Sequence, residues 1–345
     1  MWMTLIFVLS LVIAVPVIAV IGLSTLASVL IDGRIPATVL SQALYSGVNQ
    51  YPLIAVAGFI LAGALFGHAG VTERIVEVAS ALVGRITGAL AVVAIAASMF
   101  FSSITGSGPA TVAAVGGLLI PAMIRHGMTP AFSAAVVAAG GTLGILIPPS
   151  NPMIIYGVIG NVSITRLFMA GLIPGIMVGG LLMLMAVMVC RLRGMRAPPG
   201  RFSWSRLGLA LNRGKWALAS PVLILGGIYG GVFTPVEASV VAVFYALFVG
   251  VFIHRELDLT GFIKALRDTA VTSGTVVVIV GVALAFGRVV TIYQVPTTVA
   301  NALLTISSEP LILLFLIVLF LIIVGTFMET LAQIVILVPV FLPVV

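Results

Sequence analysis

The sequence predicts an all-α polytopic membrane protein, on three observations. Hydrophobic residues make up 61% of the 345 and charged residues only 7%, against roughly a quarter charged in a soluble domain. A water-soluble fold of this length has nowhere to hide so much apolar surface. Apolar runs follow one another along the chain with short polar breaks, and about 20 apolar residues suffice to cross the hydrocarbon as a helix. The cations are segregated: seven of the 16 Lys and Arg, namely Arg191, Arg193, Arg196, Arg201, Arg206, Arg213 and Lys215, fall in one stretch without an acid. That is the pattern of a cytoplasmic loop under the positive-inside rule. The partner it implies is the lipid bilayer, and no nucleic acid.

The first run, Met3 to Leu30, is long enough to span, and it lacks the basic leader and small-residue cleavage site of a removable signal. Ile31 to Asn49, with Asp32, Gly33, Arg34, Pro36 and Gln42, reads as a loop or interfacial segment. Pro52 to Phe66 is the second run. From Gly70 to Arg85, Thr72, Glu73, Arg74 and Glu77 alternate with apolar residues in helical register, which predicts an amphipathic arm at the interface. Ala89 to Phe101 follows, then the small polar segment Ser102 to Pro109. Ala110 to Met123 is only 14 residues, about 21 Å as a helix. It predicts a re-entrant arm rather than a crossing, ending at Arg125-His126. Pro130 to Ile147 is broken by Pro148-Pro-Ser-Asn-Pro152 and resumes over Met153 to Val158.

Leu167 to Val189 is a span that leads through Cys190 into the basic loop. Cys190 is the only cysteine, so there is no intramolecular disulfide, and it reads as a small packed hydrophobe. Beyond the loop come Ala217 to Tyr229, the Gly230 to Glu237 link, a span over Ala238 to Ile253, and a second amphipathic arm, Arg255 to Asp268. The runs Val276 to Val290, interrupted by Arg288, and Thr297 to Ile306 follow. Leu311 to Val324 leads into Gly325-Thr-Phe-Met-Glu-Thr-Leu-Ala-Gln333, and Ile334 to Val345 ends the sequence.

The halves echo one another. Ser102 to Met123, which includes Leu119-Ile-Pro121, corresponds to Gly325 to Val345 with Phe341-Leu-Pro343. Weak internal symmetry of this kind marks transporters built from inverted repeats. The expected organisation is a first repeat over 1–190, with its hairpin at 102–124 and its broken helix at 130–160. A basic cytoplasmic loop over 191–215 and a second repeat over 216–345 follow. Counting outward from the loop puts the N-terminus outside the cytoplasm. The second repeat lacks a counterpart of the broken helix, so the sequence is expected to stop short after its second hairpin.

Two segments carry the chemistry. Helix ends leave backbone carbonyls and amides unpaired, and in hydrocarbon such ends are tolerated only against protein or a cavity. Ser102 to Pro109 brings small residues and hydroxyls to such an end. Carbonyls and hydroxyls at a helix break suit sodium, a hard cation; the plain alternative is a tight turn without a ligand. Gly140-Gly-Thr-Leu-Gly-Ile-Leu-Ile-Pro-Pro-Ser-Asn-Pro152 holds three prolines within five residues and cannot continue a helix. Because an apolar run resumes at once, it reads as a break buried in the membrane. Glu237, Arg288 and Glu329 are intramembrane charges and candidates on that ground. The plain alternative for each is an interfacial position, and for Glu237, two residues after Pro235, a helix start that favours an acid. Gly106-Ser107-Gly108 has the form of a hydrolase turn, but His68, His126 and His254 offer no plausible base. A membrane-embedded enzyme is the remote alternative.

Four motifs carry a resemblance over essentially the whole chain. They are Phe100-Phe-Ser-Ser-Ile-Thr-Gly-Ser-Gly-Pro-Ala-Thr-Val-Ala-Ala-Val-Gly116, Gly140-Gly-Thr-Leu-Gly-Ile-Leu-Ile-Pro-Pro-Ser150, Gly230-Gly-Val-Phe-Thr-Pro-Val-Glu-Ala238 and Gly325-Thr-Phe-Met-Glu329. In this order they resemble the large, DctM-like membrane subunit of the tripartite ATP-independent periplasmic (TRAP) transporters. The resemblance implies an inverted-repeat, elevator-type sodium symporter of the bacterial cell inner membrane, multi-pass, with re-entrant hairpins and broken helices. It implies a small four-helix membrane subunit and a periplasmic substrate-binding protein that delivers an organic acid such as a C4-dicarboxylate or sialic acid. Sodium is the coupling ion and no organic cofactor is implied.

By the same resemblance, Ser103, Gly106, Ser107, Gly144, Ile147 and Pro148 hold one sodium. Gly325 and Thr326 begin a second site whose other ligands fall past Val345. The substrate lies between the two, with Thr105, Pro149, Ser150, Asn151, Arg288 and Glu329 as candidates; the family often has Asp where Glu329 stands. A stand-alone sodium/dicarboxylate symporter of related architecture is the alternative.

Overall fold

A computed structural model of the chain describes every residue except 1, 14, 34, 85, 196–202, 308, 327 and 343–345, and for residues 2–4, 11 and 12 the backbone alone. Arg34, Arg85, Arg196, Arg201, Phe327, Pro343 and Val345 lie outside the described residues. The described residues form helices and turns and no strand. In chain order the helices are α1 (Trp2–Val12), α2 (Val17–Asp32), α3 (Ala37–Val48), α4 (Leu53–His68), α5 (Val71–Val83), α6 (Ala89–Thr105), α7 (Gly108–Arg125), α8 (Pro130–Gly141) and α9 (Leu143–Leu146). They continue as α10 (Asn151–Ile159), α11 (Ile164–Leu192), α12 (Trp204–Tyr229), α13 (Pro235–Phe248) with a π-helical turn over Val249–Ile253, α14 (Leu259–Ile292), α15 (Val295–Leu304), α16 (Pro310–Gly325) and α17 (Thr330–Phe341). Among the described residues α7, α11, α13 with its π-turn, and α14 are long and apolar enough to cross a membrane, as are the bent pairs α3–α4 and α8/α9–α10.

The chain forms two compact units. One comprises Ile54–Ile154 and Ser163–Ser273. At its centre α6 and α7 run antiparallel, joined by Gly106 and Ser107 alone. Gly88, just before α6, is packed so tightly on Cys190 that a Cβ there would stand 2.8 Å from its sulfur. Phe132, in the first turn of α8, lies under the Arg193 guanidinium at 5.4 Å. Both feet of the hairpin therefore sit beside the end of α11 that opens the basic loop. α7 is 18 residues long, not 14, because Gly108 and Pro109 enter its first turn and Ile124 and Arg125 its last. Its length therefore does not mark it as re-entrant, as a run of 14 would have done.

The α11 face that supports this hairpin is a run of glycines. Cβ atoms at Gly171, Gly175 and Gly179 would meet the Leu146 carbonyl at 2.9 Å, Ile147 at 2.7 Å and Met99 at 2.5 Å. Small residues four apart let backbones approach closely in a membrane. Residues 171–175 lie 7–11 positions into α11, about 10–17 Å from its start at 1.5 Å per residue. The proline break is thus well within the length of a spanning helix.

α5 is the amphipathic helix expected from its pattern, but protein covers its apolar face. Val78 and Ala81 are buried with Leu207 and Ala210 of α12. The exposed Arg213–Glu77 pair at 3.3 Å is worth at most about 1 kcal/mol, whereas burying a side chain such as Val78 or Leu207 contributes about 1.5–3 kcal/mol. The apolar seam therefore docks the arm.

The other unit comprises Met1–Leu53, Ile155–Val162 and Gly274–Val345. Two expectations are corrected here, and a third on α14, which begins in the first unit and continues into this one. The first run is two helices packed on each other, α1 and α2, because Pro16 cannot donate to Val12 and its ring clashes with the turn before it. Ile31 to Asn49 is not a loop: past Pro36 it forms α3, where a Cβ on Gly47 would come within 2.8 Å of the Gly281 backbone. The expected second arm and the run after it are one 34-residue helix, α14, since no proline lies between Leu259 and Ile292. Phe7 stacks on Phe286 at 6.2 Å, and the Tyr293 hydroxyl donates to Asp32 at 2.7 Å.

Candidate functional site

The tip of the α6–α7 hairpin is built by local sequence. Gly106 ends α6 in the left-handed region (φ 59°), its N–H donating to the Ser102 carbonyl at 3.1 Å; glycine has no Cβ to oppose that conformation. Ser107 caps α7, accepting from the Ala110 N–H at 3.4 Å, with Pro109 in the first turn. The break after α9 is set by Pro148 and Pro149. Across it the path turns by 41° into α10. Ser150 bridges the gap, donating to the Ile145 carbonyl at 2.5 Å and accepting from the Met153 N–H at 3.4 Å.

Tertiary structure joins tip and break. The Asn151 N–H donates to the Gly106 carbonyl at 3.1 Å. A Cβ on Gly106 would stand 2.5 Å from the Pro149 carbonyl, and one on Gly144 would stand 2.7 Å from the Ser107 carbonyl and 2.9 Å from the Gly108 Cα. Ser103, Gly106, Ser107, Gly144, Ile147 and Pro148, with Thr105, Pro149, Ser150 and Asn151, thus share one site in one unit. Apart from the half-buried Ser107, these tip residues and the segment 147–151 are buried.

The groups left free in this cradle are mainly oxygens. The α6 carbonyls of Ser103, Ile104 and Thr105 are among the last of the helix and have no following helical amide. The opposing amides are largely engaged: Thr111 donates to the Ser107 carbonyl, Asn151 to Gly106 and Ile154 to Ser150, while Pro109 and Pro152 have no N–H. Asn151 Oδ1 and the Ser102 hydroxyl are buried without a hydrogen-bond partner among the described residues. Oxygens at the C-terminal, negative ends of α6 and α9 favour a cation. The residues present fit a sodium ion.

Hydroxyl direction refines the assignment. Ser103 donates to the Phe100 carbonyl at 2.6 Å, so its hydroxyl turns back on its own helix and its free group is the carbonyl. Thr111, which the motif reading passed over, donates to the Ser107 carbonyl at 2.9 Å and lies 3.3 Å from the Thr105 hydroxyl. Its place one turn past the Ser107 cap was the available signal. Gly63, also passed over, is a second support: a Cβ there would meet Thr105 at 2.9 Å.

The remaining candidates are elsewhere. Glu237 stands in the first turn of α13. It completes a capping box, accepting from the Thr234 N–H at 2.8 Å and hydroxyl at 2.9 Å, with its own N–H donating to Thr234; this is the helix-start alternative. Gly325, Thr326, Glu329 and Arg288 belong to the other unit. There Gly325 ends α16, and the Thr326 hydroxyl donates to Ile323 at 2.7 Å. Glu329 caps α17, accepting from the Leu331 N–H at 3.1 Å. Arg288 is exposed on α14 and lines a cleft of about 310 Å³ with Thr291 and Pro339.

Comparison with known proteins gives the family. Residues 4–345 match the family described as the tripartite ATP-independent periplasmic transporter, DctM component. The chain is 42% identical over 339 residues to the isethionate TRAP transporter permease protein DctMQ of Oleidesulfovibrio alaskensis, covering 98% of this chain and 53% of that protein. It is 38% identical over 324 residues to the C4-dicarboxylate TRAP transporter large permease protein DctM of Pseudomonas aeruginosa, covering 94% of this chain and 76% of that protein. It is 41% identical over 304 residues to the sialic acid TRAP transporter large permease protein SiaM of Vibrio cholerae, covering 88% and 71%. The chain therefore spans about half to three quarters of the length of these relatives. Like them it is a protein of the inner membrane. The chain belongs to the DctM component family of the tripartite ATP-independent periplasmic transporters.

Proposed function

We propose that the chain is the transporting core of a sodium-coupled symporter that takes up an organic acid handed over by a periplasmic binding protein, working with a small membrane subunit. The observation that carries this reading is the cradle of buried carbonyls and hydroxyls where Gly106 meets Asn151. Sodium held there by Ser103, Gly106, Ser107, Gly144, Ile147 and Pro148 supplies positive charge. The chain's own part is to present fixed oxygens, exclude water and couple tip to break, so that ion occupancy rigidifies both. A carboxylate beside Thr105, Ser150 and Asn151 would then bind better with the ion present, a coupling that acts in both directions. The relatives named for isethionate, C4-dicarboxylates and sialic acid carry organic acids, which supports the substrate class. Gly325 and Thr326 begin a second ion site, and the two halves of the sequence work as inverted repeats moving by an elevator-type shift. The work done is transport rather than catalysis.

Reconstitution in proteoliposomes with the small subunit tests the proposal. Uptake of a labelled organic acid is expected only with an inward sodium gradient and an added soluble binding protein. Uptake without the binding protein would instead support a stand-alone symporter, and turnover of the substrate without transport an enzyme.

A further inference from the structure

His254 directly follows the π-helical turn that ends α13 and is fastened to a different part of the chain. Its Nδ1 lies 2.7 Å from the Ala69 carbonyl, which can only accept, so Nδ1 carries the proton and Nε2 is the bare nitrogen. Nε2 is buried and has no hydrogen-bond partner among the described residues. Around this bond the α13–α14 turn closes on the α4–α5 corner. Glu256 pairs with Arg74 at 2.8 Å, and Arg74 also donates to the Gly70 carbonyl at 2.7 Å. Gly70 stands in the left-handed region (φ 65°) with the Glu256 carboxylate where a Cβ would be. The turn holds itself in shape: the Glu256 and Leu257 amides both donate to the Gly250 carbonyl, at 3.1 and 3.2 Å, and Arg255 takes a positive φ of 56°. The surrounding basin includes Arg213 and Lys215, the last members of the basic stretch, so it faces the cytoplasm.

We infer that His254 is the catch of a latch between the α13–α14 turn and the α4–α5 corner, and that acidification on the cytoplasmic side opens it. A second ring proton would sit on Nε2, buried with no acceptor, near the Arg74 guanidinium. The charged groups lining the basin are Glu73, Arg74 and Glu77 of α5, Arg213 and Lys215 of α12, and Glu256 on the turn itself. Of these, Arg74 opposes protonation and Glu256 favours it, while burial, the largest influence, holds His254 below the ordinary histidine range. A base disfavoured in the closed state leaves the latch at full strength above about pH 6.5 and weakens it as pH falls below that value. α5 leads straight into the hairpin that carries the candidate ion site, so an open latch frees the arm at the hairpin's foot. The inference does not depend on which ion or substrate the site takes.

Hydrogen-exchange mass spectrometry on the purified chain in lipid nanodiscs, corrected for intrinsic amide rates, tests it. In the wild type, opening of peptides covering 66–74 and 249–258 is expected to rise by up to about fivefold between pH 6.5 and 5.5, the limit for one proton taken up by a histidine of ordinary affinity in the open state. H254Q, whose amide can donate to Ala69 but does not titrate, is expected to show no such rise. E256Q is expected to open more at every pH while keeping the wild-type slope. Equal protection of the wild type at both pH values overturns the inference. So does a wild-type slope retained in H254Q, or a slope lost in E256Q but kept in H254Q, which would make Glu256 the titrating group.

Discussion

The Asn151 amide donates to the Gly106 carbonyl at 3.1 Å, tying a two-residue hairpin turn to the first residue of a helix 45 positions later in the chain. Each partner stands at a break in the helical ladder, so the bond satisfies groups that neither segment could satisfy alone. The Pro149 carbonyl lies 2.5 Å from where a Gly106 Cβ would be, which makes the contact intolerant of any side chain.

Gly106→Ala is therefore expected to cost about 1–3 kcal/mol in stability, through the strained left-handed backbone and the overlap with Pro149. Sodium-dependent uptake should be lost with it. Thermal unfolding and uptake by the same preparation check both. An unchanged melting temperature would show that tip and break are not held as described.

Ser107→Ala separates ion binding from folding. The cap bond to Ala110 is long at 3.4 Å, so losing it should cost about 0.5–1 kcal/mol, the low end for an N-cap. A hydroxyl facing a cation is worth more, about 1.5–3 kcal/mol, so the sodium concentration for half-maximal uptake should rise roughly tenfold or more. An unaltered sodium dependence would remove Ser107 from the site.

Glu237→Gln should leave uptake within about twofold of wild type, because the carboxylate caps a helix. Thr234→Ala, which breaks the capping box from the other side, should lower stability by about 1 kcal/mol with uptake preserved. Abolished uptake in a stably folded Glu237→Gln protein would return this residue to the functional set.

Cys190 is buried where Gly88 abuts its sulfur. A membrane-permeant maleimide should leave it unmodified in the folded protein and label it fully after denaturation, as read by intact mass. Rapid labelling of the native protein would mean that the foot of α6 is not seated on α11.

The positions where helices end were legible in the sequence, because Pro, Gly and capping hydroxyls act over a few residues: Gly106, Ser107-Gly-Pro109 and Pro148-Pro149 all mark true ends. Composition was equally direct about the membrane. Two boundaries were misread by the same kind of signal. Pro16 splits the first run into α1 and α2, yet an apolar count passes over it. The charges at 255–268 suggested a separate arm, but charge does not stop a helix, and α14 continues through them.

By itself, then, the sequence determined that the chain is an all-α membrane protein, where its ladders break, and that small polar residues gather at one break. Only the tertiary structure decided that the hairpin's feet share one side with Cys190 and Arg193. It alone brought Gly106 and Gly144 against the Pro149 and Ser107 carbonyls and seated His254 on Ala69. The physical reason is range. Propensity and capping act within a turn or two of one helix, whereas these contacts join segments 37 to 185 positions apart, through close backbone approaches and paired polar groups that no local pattern specifies.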